Sequence, residues 1–184
     1  KLMSDIIILG IFVADISFLG DRIPSSGETI LGDNYNIGPG GKGCNQAIAI
    51  SRLGGKVSFI SKLGDDDYGK LAIDKLKTDN IDTSNIIISN KHKTGVAGIH
   101  VDRNTGKNAI TVVRGAPSSL TTKEIDINLI KNSKIFLTQL EIPVEVTLHC
   151  LKAAKEFGII NILNPAPACR LNNDFFKLID YFTP

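Results

Sequence analysis

The sequence predicts an α/β sandwich carrying a small β-rich flap. Three observations predict it. Short aliphatic runs such as Ile6-Ile7-Ile8-Leu9 have the length and continuity of buried strands. From Thr121 onward, helical-period segments alternate with strand-like ones, an order that requires crossovers and a largely parallel sheet. Two separated stretches, residues 16–38 and 94–113, are extended and turn-rich without helical period.

Taken in order, Asp5–Gly10 reads as a buried strand ending in glycine. Within 16–38, Ile23-Pro24-Ser25-Ser26-Gly27 is a turn cluster, and Glu28–Gly32 is a short extended piece. Gly40-Gly41-Lys42-Gly43 then opens a helix in which Ala47, Ile48, Ile50, Ser51 and Leu53 recur at helical spacing, stopped by Gly54-Gly55. Lys56–Leu63 alternates like a strand. Asp65-Asp66-Asp67 supplies an N-cap for a helix running to about Lys77, with acidic residues suited to the helix dipole. Another strand lies around Ile86-Ile87-Ile88. Thr94–Asp102 and Lys107–Val113, flanking Arg103-Asn104-Thr105-Gly106, read as a hairpin. The remainder reads as a helix from Thr121, a strand (Lys134–Gln139), a helix (Val144–Phe157), a strand (Ile159–Leu163), a helix near Asp174–Leu178 and a last apolar piece, Ile179–Phe182.

Composition narrows the function. The 184 residues are 42% apolar and 22% charged, enough for one sizeable core. Lys and Arg number 21 against 19 Asp and Glu, and the densest basic cluster, Lys91-His92-Lys93, is too short to track a phosphate backbone, so nucleic-acid binding has no electrostatic support. The most apolar stretch, Ile6–Leu19, is broken by Asp15, which argues against a membrane-spanning helix. The first residues carry no secretory pattern, and Met3 reads as the native start after two appended residues. Cys44, Cys150 and Cys169 are odd in number and far apart, which fits a reduced, cytoplasmic setting. His92, His100 and His149 are scattered, and no metal site is assigned to this chain.

Gly38-Pro39-Gly40-Gly41-Lys42-Gly43 satisfies G-x-G-x-x-G, yet it is not a dinucleotide fingerprint. That motif belongs directly after the first strand, whereas 27 residues separate Gly10 from Gly38. A phosphate loop of Walker type fails too, because Lys42 is followed by Gly43 and not by Ser or Thr. What remains is a close-approach glycine loop with Lys42 and Asn45 offering polar groups at a helix start, suited to a polyhydroxylated or anionic ligand. By glycine content alone, a plain helix entrance with an exposed lysine explains it as well.

Several segments together carry a resemblance. They are Asp15 after the first strand, Pro24-Ser25-Ser26-Gly27-Glu28-Thr29, Gly40-Gly41-Lys42-Gly43-Cys44-Asn45-Gln46-Ala47, Gly64-Asp65-Asp66-Asp67-Tyr68-Gly69, Thr94-Gly95-Val96-Ala97, Gln139-Leu140-Glu141 and Asn164-Pro165-Ala166-Pro167-Ala168. In order and spacing this set resembles the ribokinase (PfkB) family of carbohydrate kinases along the whole chain. The resemblance implies a three-layer α/β/α ribokinase-like sandwich with a small β-sheet lid, built here from residues 16–38 and 94–113.

It also implies roles. Asp15 would accept hydrogen bonds from two sugar hydroxyls, as a carboxylate can. Gly41, Lys42 and Asn45 would line the other side of the sugar, and Glu141 would complete the grip. Gly40-Gly41 would be the hinge of the lid, and Ile99 an apolar cover over the sugar. Without the resemblance, Asp15 is a polar residue ending a strand, Glu141 a surface carboxylate and Ile99 a packing residue. Many family members carry Asn where this chain has Val13, which neither donates nor accepts, so the sugar's identity is less firmly implied than the family.

The activity implied is ATP-dependent, Mg2+-assisted transfer of a phosphoryl group to the 5-hydroxyl of D-ribose, with a monovalent cation such as K+ as an accessory by the same resemblance. The family's base lies in a D-T-x-G-A-G-D motif, and no such motif occurs in these 184 residues. The sequence thus reads as 1–184 of a longer domain, truncated before its nucleotide-binding part. No catalytic base lies in this chain, one is expected C-terminal of Pro184, and the isolated chain is expected to be inactive. A homodimer paired through the lid is implied as well. Two alternatives stay open: a related sugar or nucleoside kinase, and a non-catalytic sugar-binding module.

Overall fold

The computed structural model describes residues 4–184, so the reading of Met3 lies outside it. Six strands form one parallel sheet: β1 (Ile6–Leu9), β4 (Val57–Gly64), β5 (Ile86–Ser89), β8 (Ile135–Thr138), β9 (Ile160–Leu163) and β10 (Tyr181–Phe182), in the order β10-β9-β8-β1-β4-β5. Alternate residues of these strands face opposite layers, as the two-residue period of a strand requires. Ile8, Phe59 and Leu137 pack with Ala47, Ile48, Ala72 and Leu76 from α1 (Lys42–Arg52) and α2 (Asp67–Thr78). Ile7, Leu9, Ile60, Phe136 and Leu163 pack with Ile130, Val146, Cys150, Leu151 and Phe175 from α3 (Asn128–Lys131), α4 (Val144–Glu156) and α5 (Asn173–Phe176). The architecture is the expected three-layer α/β/α sandwich.

A second sheet, β3-β2-β6-β7, is built from β2 (Val13–Gly20), β3 (Asn34–Gly40), β6 (Gly95–Asp102) and β7 (Asn108–Val113). β2 pairs antiparallel with β3 and parallel with β6, and β6 with β7 forms the hairpin read from the sequence. This sheet is tied to the sandwich at the start of β6. Asp66, the N-cap of α2, accepts from the Gly69 amide with one oxygen and from the Thr94 amide with the other, each at 2.8 Å. One side chain therefore both starts a helix and fixes where the second sheet begins.

Three expectations need correction. β4 does not alternate between buried and exposed positions. All eight of its residues are buried, because the central parallel sheet is covered on both faces. The helix expected from Thr121 is two short pieces, a 3-10 turn at Thr122–Glu124 and the four-residue α3, because Glu124 folds back onto Thr121 as a capping box and Asp126 turns onto the Asn128 amide. Glu28–Gly32 forms no strand; Glu28 instead pairs with Arg22 and accepts from the Ser25 amide, closing a turn.

Strand order also locates the useful crevice. The chain leaves β1 towards β4 but leaves β8 towards β9, so neighbouring strands β1 and β8 send it in opposite directions. That is a topological switch point, and open α/β sheets bind ligands outside the carboxyl ends of such strands. The segments leaving those two ends lead to Asp15 and to Glu141.

Candidate active site

Asp15 does not end a strand, as the sequence suggested. It lies inside β2, opposite Gly38 of β3 on one side and Ala97 of β6 on the other. Paired residues point to the same face of a sheet, so the positions around Asp15 on its face are Gly38, Ala97, and, one row back, Gly40, Val13 and Gly95. The carboxylate thus stands mostly among small residues on that face, with Val13 the larger neighbour. It is half-buried, and burial raises its pKa above the ordinary carboxylate range.

Gly40 is fixed by that carboxylate, since a Cβ there would lie 2.1 Å from Asp15 Oδ1. Gly41 is the N-cap of α1 with φ of 94°, a conformation L side chains rarely adopt, and a Cβ would come within 2.4 Å of the Ile11 carbonyl oxygen. The two glycines turn the chain from the end of β3 into α1. Lys42 is the first residue of the helix. Asn45 lies one turn on, its amide donating to the Gly41 carbonyl. Both side chains are exposed at the helix start.

Glu141 follows β8 by three residues and reaches back across 99 positions, accepting from the Lys42 amide through Oε2 at 2.8 Å. An N-terminal N–H of α1 that the sequence left free for a ligand is therefore held by this carboxylate. Burial raises the pKa of Glu141; the Lys42 amide and the charges of Lys42 and Arg114 oppose the rise, and Asp15 adds to it. Ile99 lies on the Asp15 face, paired with Ser17 and Ile110 and packed against the core cluster that includes Val13 and Ala97.

The structure brings Asp15, Gly40, Gly41, Lys42, Asn45 and Glu141 to one crevice, with Ile99 on the same sheet face as Asp15. Two half-buried acceptors, a lysine and an amide side chain can together hold a ligand bearing several hydroxyls. Arg114 escaped the sequence reading. It follows β7 and, by the register that pairs Val113 with Val96, falls opposite Gly95 on the Asp15 face. The signal was present in the hairpin, but it is readable only once the hairpin's register is known.

A family profile described as pfkB family carbohydrate kinase matches residues 3–184. The chain belongs to that family. It is 38% identical to ribokinase of Haemophilus influenzae over 179 residues, covering 96% of this chain and 58% of that protein. Ribokinase from Thermotoga maritima superposes with a TM-score of 0.88 at 38% identity, over 98% of this chain and 59% of that one. The structure of Arabidopsis thaliana ribokinase complexed with ribose and ATP superposes with a TM-score of 0.89 at 28% identity, over 98% of this chain and 60% of that one. The chain spans from about a third to about three fifths of the length of the curated relatives it matches.

Among the described residues no helix is long and apolar enough to cross a membrane, and no group of three or more His, Cys, Asp or Glu side chains converges to hold a metal ion. Cys44 and Cys150 are buried, each thiol pushed up to about 12 by burial, and Cys169 is exposed; all three are free.

Proposed function

We propose that this chain is the sugar-binding part of a cytoplasmic ribokinase, which transfers the γ-phosphoryl group of ATP to the 5-hydroxyl of D-ribose. The observation that carries the reading is the half-buried Asp15 carboxylate standing among Gly38, Gly40 and Ala97, in one crevice with Glu141, which accepts from the Lys42 amide at the start of α1. Such a carboxylate accepts from two vicinal hydroxyls.

On this reading the chain's own residues bind, orient and enclose. Asp15 and Glu141 take sugar O–H donors, while Lys42 and Asn45 bound the side formed by α1. Gly40-Gly41 lets the second sheet move as a lid, and Ile99 helps exclude water that would compete for the phosphoryl group. The catalytic base is assigned outside residues 1–184. ATP supplies the phosphoryl group, Mg2+ would neutralise its developing charge, and K+ is an accessory by family likeness. No step is routed through the nucleotide or either ion. The nucleotide-binding part of the enzyme is placed C-terminal of this segment.

A second reading, a kinase for a related sugar or nucleoside, is favoured by one residue. Val13, on the same face of β2 as Asp15 and 4% exposed, offers a sugar neither a donor nor an acceptor. The test is ATP-dependent phosphorylation by the protein with its complete chain, offered D-ribose, 2-deoxy-D-ribose, D-fructose and adenosine. Preference for D-ribose supports the leading reading, preference for another acceptor supports the second, and sugar binding without turnover points to a binding module.

We further propose a homodimer through the second sheet. Its face turned away from Asp15 exposes Phe18, Tyr35 and Ile37, with Phe18 stacked on His100 at 5.6 Å between ring centroids. A four-stranded sheet with this much exposed apolar surface gains by covering it.

A further inference from the structure

Arg114 and Glu141 come from different parts of the fold and line the same cavity of about 450 Å3, with Ser118, Pro167 and Cys169 on its other walls. Arg114 leaves the end of β7 in register with Gly95, whose missing side chain opens the floor between Val13 and Arg114. Glu141 sits on the loop after β8 and has committed Oε2 to the Lys42 amide. Its remaining oxygen is the one available to a ligand.

The geometry points to Arg114 as a positioning residue for Glu141: from the edge of the second sheet it sets a positive charge on the cavity that the half-buried carboxylate also lines, and so favours that carboxylate as a hydrogen-bond acceptor for the sugar. This rests on the sugar-binding reading of the crevice and adds to it a residue outside the direct grip. The charged and titratable groups facing Glu141 are Lys42 from α1, Asp15 from β2, Arg114 from the end of β7 and Cys169 from the loop after β9. Burial and Asp15 favour the protonated acid, whereas Lys42 and Arg114 favour the carboxylate. Without Arg114, the balance moves towards the acid, and the group then accepts poorly. Because Arg114 is exposed, solvent screens it, and its removal leaves the core untouched.

The test is the dissociation constant for D-ribose, by calorimetry on the protein with its complete chain, from about pH 5 to about pH 8. In Arg114→Ala the acid limb of the binding curve is expected to move to higher pH, giving about two- to fivefold weaker binding than wild type at the acid end and little difference at the alkaline end. Arg114→Lys, which keeps the charge, is expected to restore the wild-type profile. Equal affinities at every pH, or a loss of the same size at every pH, would overturn the positioning role, the latter by showing that Arg114 acts on the sugar directly. A wild-type protein that binds no ribose at any pH would overturn the sugar reading itself, and this role with it.

Discussion

Asp15 shows what a half-buried carboxylate costs its own protein. Burial holds its native pKa above the unfolded value, so the native state loses stability as pH rises through that interval, and near neutral pH the ionised group disfavours the fold. Asp15→Asn should therefore raise the melting temperature near pH 7 and leave it unchanged near pH 3, where both forms are neutral. Calorimetric melts at the two pH values decide the matter. In the complete protein, Asp15→Ala should weaken sugar binding by about 2–5 kcal/mol, the range for stripping a charged partner from buried hydroxyls. Unchanged sugar KM and kcat would remove Asp15 from the site. The residue type was legible in the sequence, but its place inside β2 was not. Nothing local distinguishes a carboxylate that ends one strand from one that sits in the next.

At the scale of elements, α2 and β6 are joined through Asp66. Burial opposes its ionisation, but the Thr94 and Gly69 amides outweigh that and hold its pKa below the ordinary carboxylate value. Its contribution to stability is therefore complete above the unfolded value and is lost as pH falls through the lowered native one. Asp66→Ala should cost about 0.5–2 kcal/mol in urea unfolding at neutral pH, and progressively less in acid as the wild type loses the same interaction. The cap was readable because Asp-Asp-Asp before a helical period has a local cause. The helix expected from Thr121 failed for a reason equally local but competing: Glu124 and Asp126 close turns on Thr121 and Asn128 before a regular helix can propagate. The second bond of Asp66, to Thr94 across 28 positions, had no sequence signature.

The whole molecule is divided between a sandwich with its core in two layers and a small sheet whose outer face is apolar and exposed. If that face pairs two copies, Phe18→Asp in the complete protein should convert a dimer into a monomer in sedimentation while leaving the sandwich folded. Phe18 points away from Asp15 across β2, since the two are an odd number of residues apart. A wild-type monomer at micromolar concentration would refute the pairing.

The sequence by itself determined the alternation of strands and helices, the glycine entrance to α1, the cap of α2 and the hairpin of β6 and β7, because each rests on period, capping or turn chemistry within a few residues. Through the family resemblance it also marked Asp15, Lys42, Asn45 and Glu141 as a set. Only the tertiary structure decided that β1 and β8 are neighbours, that Glu141 holds the Lys42 amide from 99 residues away, and that Arg114 falls opposite Gly95 on the face of Asp15. These depend on strand order and register, which long-range packing sets, and a one-residue slip in register would turn Asp15 or Arg114 to the opposite face of the sheet.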